Sequence, residues 1–150
     1  MSELDALEDW AGPLLQRLEP SARTKLAKTI AQQLRRSQQQ RVAAQRNADG
    51  TAFAPRKPRM RDKQGRVRGK AKMFRKLRTA DHLKARGDAA GATVGFTGRV
   101  ARIAKVHQQG LRDRAQRGAP PVKYARRMLL GLTDQELETI RNTLLNHLSI

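Results

Sequence analysis

Between Pro55 and Arg78 the chain carries 12 Lys or Arg against a single Asp, broken further by Pro58, Gly65 and Gly69. A run this dense in one charge, without apolar periodicity, supplies no face to a hydrophobic core. The fold must therefore be built from the segments on either side, leaving a basic loop at about residues 51–72. Loops of that length inside a compact domain are generally functional or disordered. Two roles compete for it on charge alone: an arm that neutralises phosphates, or a contact loop that orders against neighbouring subunits.

The charge is segregated along the whole chain. Residues 1–20 sum to −4, residues 21–132 to +25 and residues 133–150 to −2, for a total of +19 and a pI near 11.7. Such a balance favours a polyanionic or acidic partner and says nothing about the fold. The absence of cysteine excludes disulfides, thiolate metal sites and a cysteine nucleophile. The opening "MSELDALEDW" is acidic and amphipathic, so no secretory signal is expected, and no apolar run reaches membrane-spanning length. With 150 residues and 3% aromatics, the expectation is one domain, 1–150, whose modest core is mainly Leu, Ile, Val and Ala.

Periodicity places the elements. Leu4, Leu7, Ala11, Leu14 and Leu18 mark an amphipathic helix, with Ser2 as N-cap, Asp5 three residues on, and Pro13 expected to kink or split it. Pro20-Ser21 is read as the boundary to a second, long helix from about Ala22 to Arg46, striped by Leu26, Ile30 and Leu34. Asp49-Gly50 signals a turn. Met73, Phe74 and Leu77 form a short apolar turn. Leu83 and Ala85 lead through Gly87–Gly91 to Thr93–Phe96 as a hairpin. Val100, Ile103, Ala104 and Val106 or His107 predict a helix face stopped by Gly110. Residues 111–123, with Pro120-Pro121, read as a second basic loop. Thr133 and Glu136 form a capping box, Leu132 and Leu137 a hydrophobic staple, and Leu137, Ile140, Leu144 and Leu148 the buried stripe of a last helix.

Catalytic signals are weak. His82, His107 and His147 lack metal-ligand spacing, and "GRVRGK" lacks the spacing and flanking strand of a phosphate-binding loop. His107 in "VHQQG" reads more readily as a hydrogen-bonded structural group, and His147 as a surface one. No enzyme activity, metal or cofactor is expected. A small basic nucleic-acid-binding protein is the alternative function, since the basic run would release counterions from several phosphates. It has Phe74 but no Tyr or Trp for base stacking, and no recognition helix.

Four motifs in order change this balance. "AQRNADGTAFAPRK", with Asp49, Gly50, Phe53 and Pro55, resembles the exit from the long helix in phage virion morphogenesis proteins. Phe53 stands where that family often has Trp. "KMFRKL" resembles the segment after the family's basic loop. "IAKVHQQG", with His107, Gln108 and Gly110, resembles its Val-His-Gln-x-Gly motif. "YARRMLLGLTDQELETI", with Arg126 and Gly131, resembles the turn before its final helix. The resemblance, from about Leu14 to Leu148, implies an α+β fold with long N-terminal helices and a C-terminal helix packed on a small antiparallel sheet or barrel. It implies a structural tail-completion protein, commonly a hexameric ring at the head-proximal end of a contractile tail. Tail tube, sheath and neck or connector proteins are the implied partners, with channel DNA as a further contact. Arg56, Lys57, Arg59, Arg61, Lys63, Arg66, Arg68 and Lys70 are the expected interface residues of the basic loop. Arg126 and Arg127 are expected to support the last helix or an interface.

Overall fold

A computed structural model describes residues 2–56, 72–114 and 117–148. Helix α1 (Glu3–Leu15) starts at a capping box: Asp5 N donates to Ser2 Oγ at 3.2 Å and Ser2 N to Asp5 Oδ2 at 3.0 Å. Pro13 does not split α1. It lies two residues from the end, so less than a turn of helix follows the donor it lacks. Helix α2 (Pro20–Ala43) begins on Pro20 at the first helical position, with Glu19 rather than Ser21 as its N-cap.

The expected continuation of α2 to Arg46 fails because Gln45 turns left-handed, at φ 58°. Its side chain explains the exit: Nε2 donates to Val42 O at 2.8 Å and to Met73 O at 2.9 Å. The chain then folds back through Gly50, at φ 90°, and Phe53 N donates to Gln45 O at 2.8 Å.

Strands β1 (Leu83–Gly87) and β2 (Ala92–Phe96) pair antiparallel, Leu83 opposite Phe96 and Gly87 opposite Ala92. The hairpin lies on α2. Gly87 permits this contact, since a Cβ there would collide with the backbone of Ala27 and Lys28. Helix α3 (Arg99–Gln109) ends on left-handed Gly110. Of its expected core face, Ala104 and Val106 are buried and Val100 partly so, but Ile103 is 47% exposed.

Residues 111–123 are more than a loop. Strand β3 (Arg112–Arg114) pairs antiparallel with β4 (Pro121–Lys123). Strands of three residues carry too little alternation to be read from sequence, and Pro121 at an edge loses no essential donor. The two small sheets are separate, so the architecture is α+β, with no closed barrel among the described residues.

Helix α4 (Asp134–Leu148) docks its stripe on α1 and α2. Leu137, Ile140 and Leu144 pack with Leu7, Ala11 and Leu26. A second cluster joins Val42, Phe53, Met73, Leu77, Ala104 and Leu129 around the exit of α2. Each fully buried Leu contributes roughly 1.5–3 kcal/mol. Leu144 is 3% exposed. Leu144→Asp would place a carboxylate without a partner in this cluster, a cost comparable with the roughly 5–15 kcal/mol stability of a typical domain. The variant is expected to lose its cooperative thermal transition by circular dichroism. A melt close to wild type would show that α4 is not docked.

Candidate functional site at the foot of the basic segment

The motif residues gather where the chain leaves for, and returns from, the basic segment. Phe53 is buried, and its ring meets Phe74 edge-on at 5.7 Å between centroids. Phe74, at φ 65°, lies against His107 at 4.8 Å, and His107 against Tyr124 at 5.0 Å. The aromatic row thus joins both ends of the basic segment to α3 and to the residue after β4.

Arg127 ties the same place electrostatically. Its guanidinium is buried, with Nε donating to Ala54 O at 2.8 Å and Nη2 to Pro55 O at 3.1 Å. Nη1 lies 3.4 Å from His107 Nδ1. A guanidinium only donates, so that nitrogen acts as a weak acceptor. The backbone joins in, with Arg127 N donating to His107 O at 2.8 Å.

Three glutamines hold the surrounding irregular chain in one recurring way. Each pairs its carboxamide with both the N–H and the C=O of a single residue. Gln45 accepts from Met73 N at 2.8 Å and donates to Met73 O at 2.9 Å. Gln108 accepts from Leu130 N at 2.9 Å and donates to Leu130 O at 2.8 Å. Gln38 accepts from Gly131 N at 3.1 Å and donates to Gly131 O at 2.8 Å. A primary amide has the donor–acceptor geometry of a peptide unit, so each glutamine replaces a missing strand neighbour. Asn47 adds a fourth tie, accepting from Met128 N at 2.8 Å.

The residues read from the motifs find these places. Asp49 accepts from Thr51 N at 3.0 Å and from Thr51 Oγ1 at 2.5 Å, bonds that hold its carboxyl below the usual range. Pro55 offers its carbonyl to Arg127. Gly110 is left-handed and also close-packed, since a Cβ there would lie 3.2 Å from Arg126 Cβ. Gly131 lacks room for a side chain, with Ala48 Cβ 2.6 Å from where its Cβ would be. Arg126 is exposed and Arg56 lies exposed at the edge of the described chain. Lys57, Arg59, Arg61, Lys63, Arg66, Arg68 and Lys70 lie outside the described residues. Sequence reasoning missed Gln38, Gln45 and Asn47, whose amides look like solvated polar positions in a Gln- and Arg-rich helix. It expected Arg127 to support the last helix or an interface; within the protomer its guanidinium serves residues 54 and 55.

Chemically the cluster is a brace. His107 is pushed down to about 4 by burial, then by the positive charges of Arg127 and Arg56. It is neutral at pH 7 and faces cations and aromatic rings. Among the described residues, no group of three or more His, Asp or Glu is placed to hold a metal ion. No helix among them is long and apolar enough to cross a membrane.

The chain matches a known family, described as the phage virion morphogenesis family, over residues 2–149. It is 40% identical over 150 residues to tail completion protein S of Escherichia phage P2, covering 99% of each chain. No solved structure matches it.

Two substitutions test the brace. The folded pKa of His107, about 4, lies below the ordinary 6.5, so the unfolded chain takes up the proton first. Stability is therefore expected to fall as pH drops from 6.5 towards 4, and His107→Gln to flatten that part of the denaturation profile. An unchanged profile would show that His107 is not held neutral. Arg127→Ala leaves the Ala54 and Pro55 carbonyls without their donor and is expected to cost about 1–3 kcal/mol for each group left unsatisfied. Faster hydrogen exchange at Phe53 and Ala54 should accompany it. Unaltered exchange there would refute the tie.

Proposed function

Because the chain belongs to the phage virion morphogenesis family, we propose that it is a structural virion protein that completes the phage tail. In this reading residues 1–150 act as one unit, and copies form a ring, hexameric as the resemblance implies, at the head-proximal end. The ring caps tube or sheath at final length and presents a platform for head-tail joining. Its partners are tail tube or sheath protein and neck or connector proteins, with channel DNA as a further contact. Assembly takes place in the host cytoplasm, and no catalysis is assigned to it.

The observation that carries the reading is identity of 40% across the whole chain to a protein named for tail completion. The brace supports it physically. Both ends of a strongly basic segment are fixed to a rigid base by Arg127, Gln45 and the Phe53–Phe74 contact. A contact element anchored in this way loses less freedom on binding than one hung from flexible ends.

The test is electron microscopy of particles from a phage in which this gene is deleted. Tails without a head-proximal ring, and heads left unjoined, are expected. Supplying a chain in which a short Gly/Ser linker replaces 57–70 should leave the protomer folded, because the flanking chain is already joined by the Phe53–Phe74 and Gln45–Met73 contacts, but should not restore joining. Normal virions from the deletion phage would refute the assignment. Restoration by the shortened chain would remove the basic segment from it.

A further inference from the structure

Two further surfaces differ in charge, and the second borders the brace through His107 and Tyr124. The first is a flank of α1, where Glu3, Ala6, Trp10 and Pro13 follow one another at three- and four-residue spacing with Asp9 beside them. Trp10, the single Trp of the chain, is 40% exposed, and Glu3 and Asp9 are exposed too. No ion pair among the described residues uses an acid of α1; those present join Arg41 to Glu136, Arg102 to Asp113 and Arg141 to Glu138. Glu3 lies by Asp134, on the first turn of α4, which raises its pKa, and by Arg141, whose charge offsets part of that; Arg141 also borders Trp10.

The second surface is a groove between α3 and the β3–β4 hairpin. Ile103, Val106 and Tyr124 give it an apolar floor, Arg99 and Arg114 rim it, and Arg102 on the rim is already paired with Asp113. Ile103 is the most exposed large apolar side chain among the described residues, at 47%. Within one protomer α1 packs on α4 and α2, while α3 packs on β2, so the two surfaces belong to different parts of the fold.

We propose that the acidic flank of α1, centred on Trp10, docks in a second copy of this chain into the groove between α3 and the β3–β4 hairpin. The indole would meet Ile103 and Tyr124 and lie against arginine planes, while Glu3 and Asp9 face Arg99 and Arg114. An aromatic anchor set in an apolar pocket with a charged rim is the usual anatomy of an energetic hot spot. The contact is heterologous, flank to groove, and repetition of such a contact closes a ring or runs on as a filament. The choice of a second copy as occupant rests on the ring reading above, together with the charge complementarity of the two surfaces.

The test uses the full chain and needs no tail. Wild type is followed by sedimentation and by emission of Trp10, and is expected to self-associate across the micromolar range with its emission moving to shorter wavelength. A flank variant, Asp9→Lys with Trp10→Ala, and a groove variant, Arg99→Glu with Arg114→Glu, change exposed residues, and each should self-associate roughly tenfold more weakly or worse. Mixed in equal amounts they should form a dimer and stop there, since one intact flank remains for one intact groove. The groove variant's Trp10 should then shift as in wild type. Should either variant lose its wild-type circular dichroism, Ile103→Glu and Asp9→Lys alone replace them. A wild type that stays monomeric, variants that associate as wild type does, or a mixture that stays monomeric would each overturn the proposal. So would groove variants that lose binding to a short DNA duplex while still self-associating, because the groove would then be a phosphate site. Rings on tails with no flank-to-groove contact would refute this inference alone. A confirmed contact with no ring on tails would refute the tail assignment.

Discussion

The buried carboxylate of Glu136 is the interaction on which the rest of the structure depends. It is 5% exposed and accepts from Ser37 Oγ at 2.8 Å, from Gln38 Nε2 at 3.0 Å and from the Arg41 guanidinium. It also caps its own helix, accepting from Thr133 N at 3.3 Å while Glu136 N donates to Thr133 Oγ1 at 3.1 Å. A charge out of water is tolerated only when paired and bonded to this extent. The energetic gain over an apolar cluster need not be large, but the geometry is specific. One carboxylate fixes where α4 starts and how it meets α2, and so sets the register of the Leu137, Ile140 and Leu144 stripe on Leu7 and Leu26.

From that point the order spreads by side-chain amides rather than by a sheet. The two hairpins are short and separate, which leaves residues 45–55 with a single isolated bridge, Arg46 to Ala52, and residues 72–74 and 126–131 outside any strand. Their backbone groups still need partners when buried. Gln38, Gln45 and Gln108 each serve one residue's N–H and C=O, and Gln38 shares its carbonyl with both Gly131 N and Arg41. The network therefore runs from Glu136 through Gln38 to Gly131, along the chain to Leu130 and Gln108, and then to the His107–Arg127 contact. Substitutions within one such network are expected to couple rather than add.

What was legible in the sequence was periodic or locally capped. The Thr133–Glu136 box, the Ser2 cap, the β1–β2 hairpin and the Gly110 stop each depend on residues within a few positions of one another. What escaped depends on contacts between distant segments. Gln45 ends α2 early because Met73, 28 positions on, receives its amide. Ile103 fits the apolar period of α3 yet faces solvent, because β2 and the segment around Phe74 cover the neighbouring face. Residues of all four motifs, Phe53 and Pro55, Phe74, His107 and Arg127, lie in contact, a convergence the sequence reading did not state. Arg127, which joins them, is indistinguishable by sequence from the exposed Arg126 beside it.

Charge and rigidity pull in opposite directions in this molecule, and the brace reconciles them. Arg56 enters the basic segment beside Arg127, and both charges bear on His107. A protonated imidazole there would add a third cation to a partly buried cluster. Burial, first, and then the charges of Arg127 and Arg56 keep it neutral instead. A neutral aromatic base can thus sit where a cation or an acid would either repel the guanidinium's surroundings or capture it from the Ala54 and Pro55 carbonyls. Asp49, the acid of the first motif, is turned to Thr51 N and Oγ1 rather than to Arg127. A carboxylate near Arg127 would compete with those two carbonyls and release the chain leading to the basic segment. Seven of the thirteen acids lie on α1 and α4, and the foot is held by the Arg127 guanidinium together with neutral amides and carbonyls.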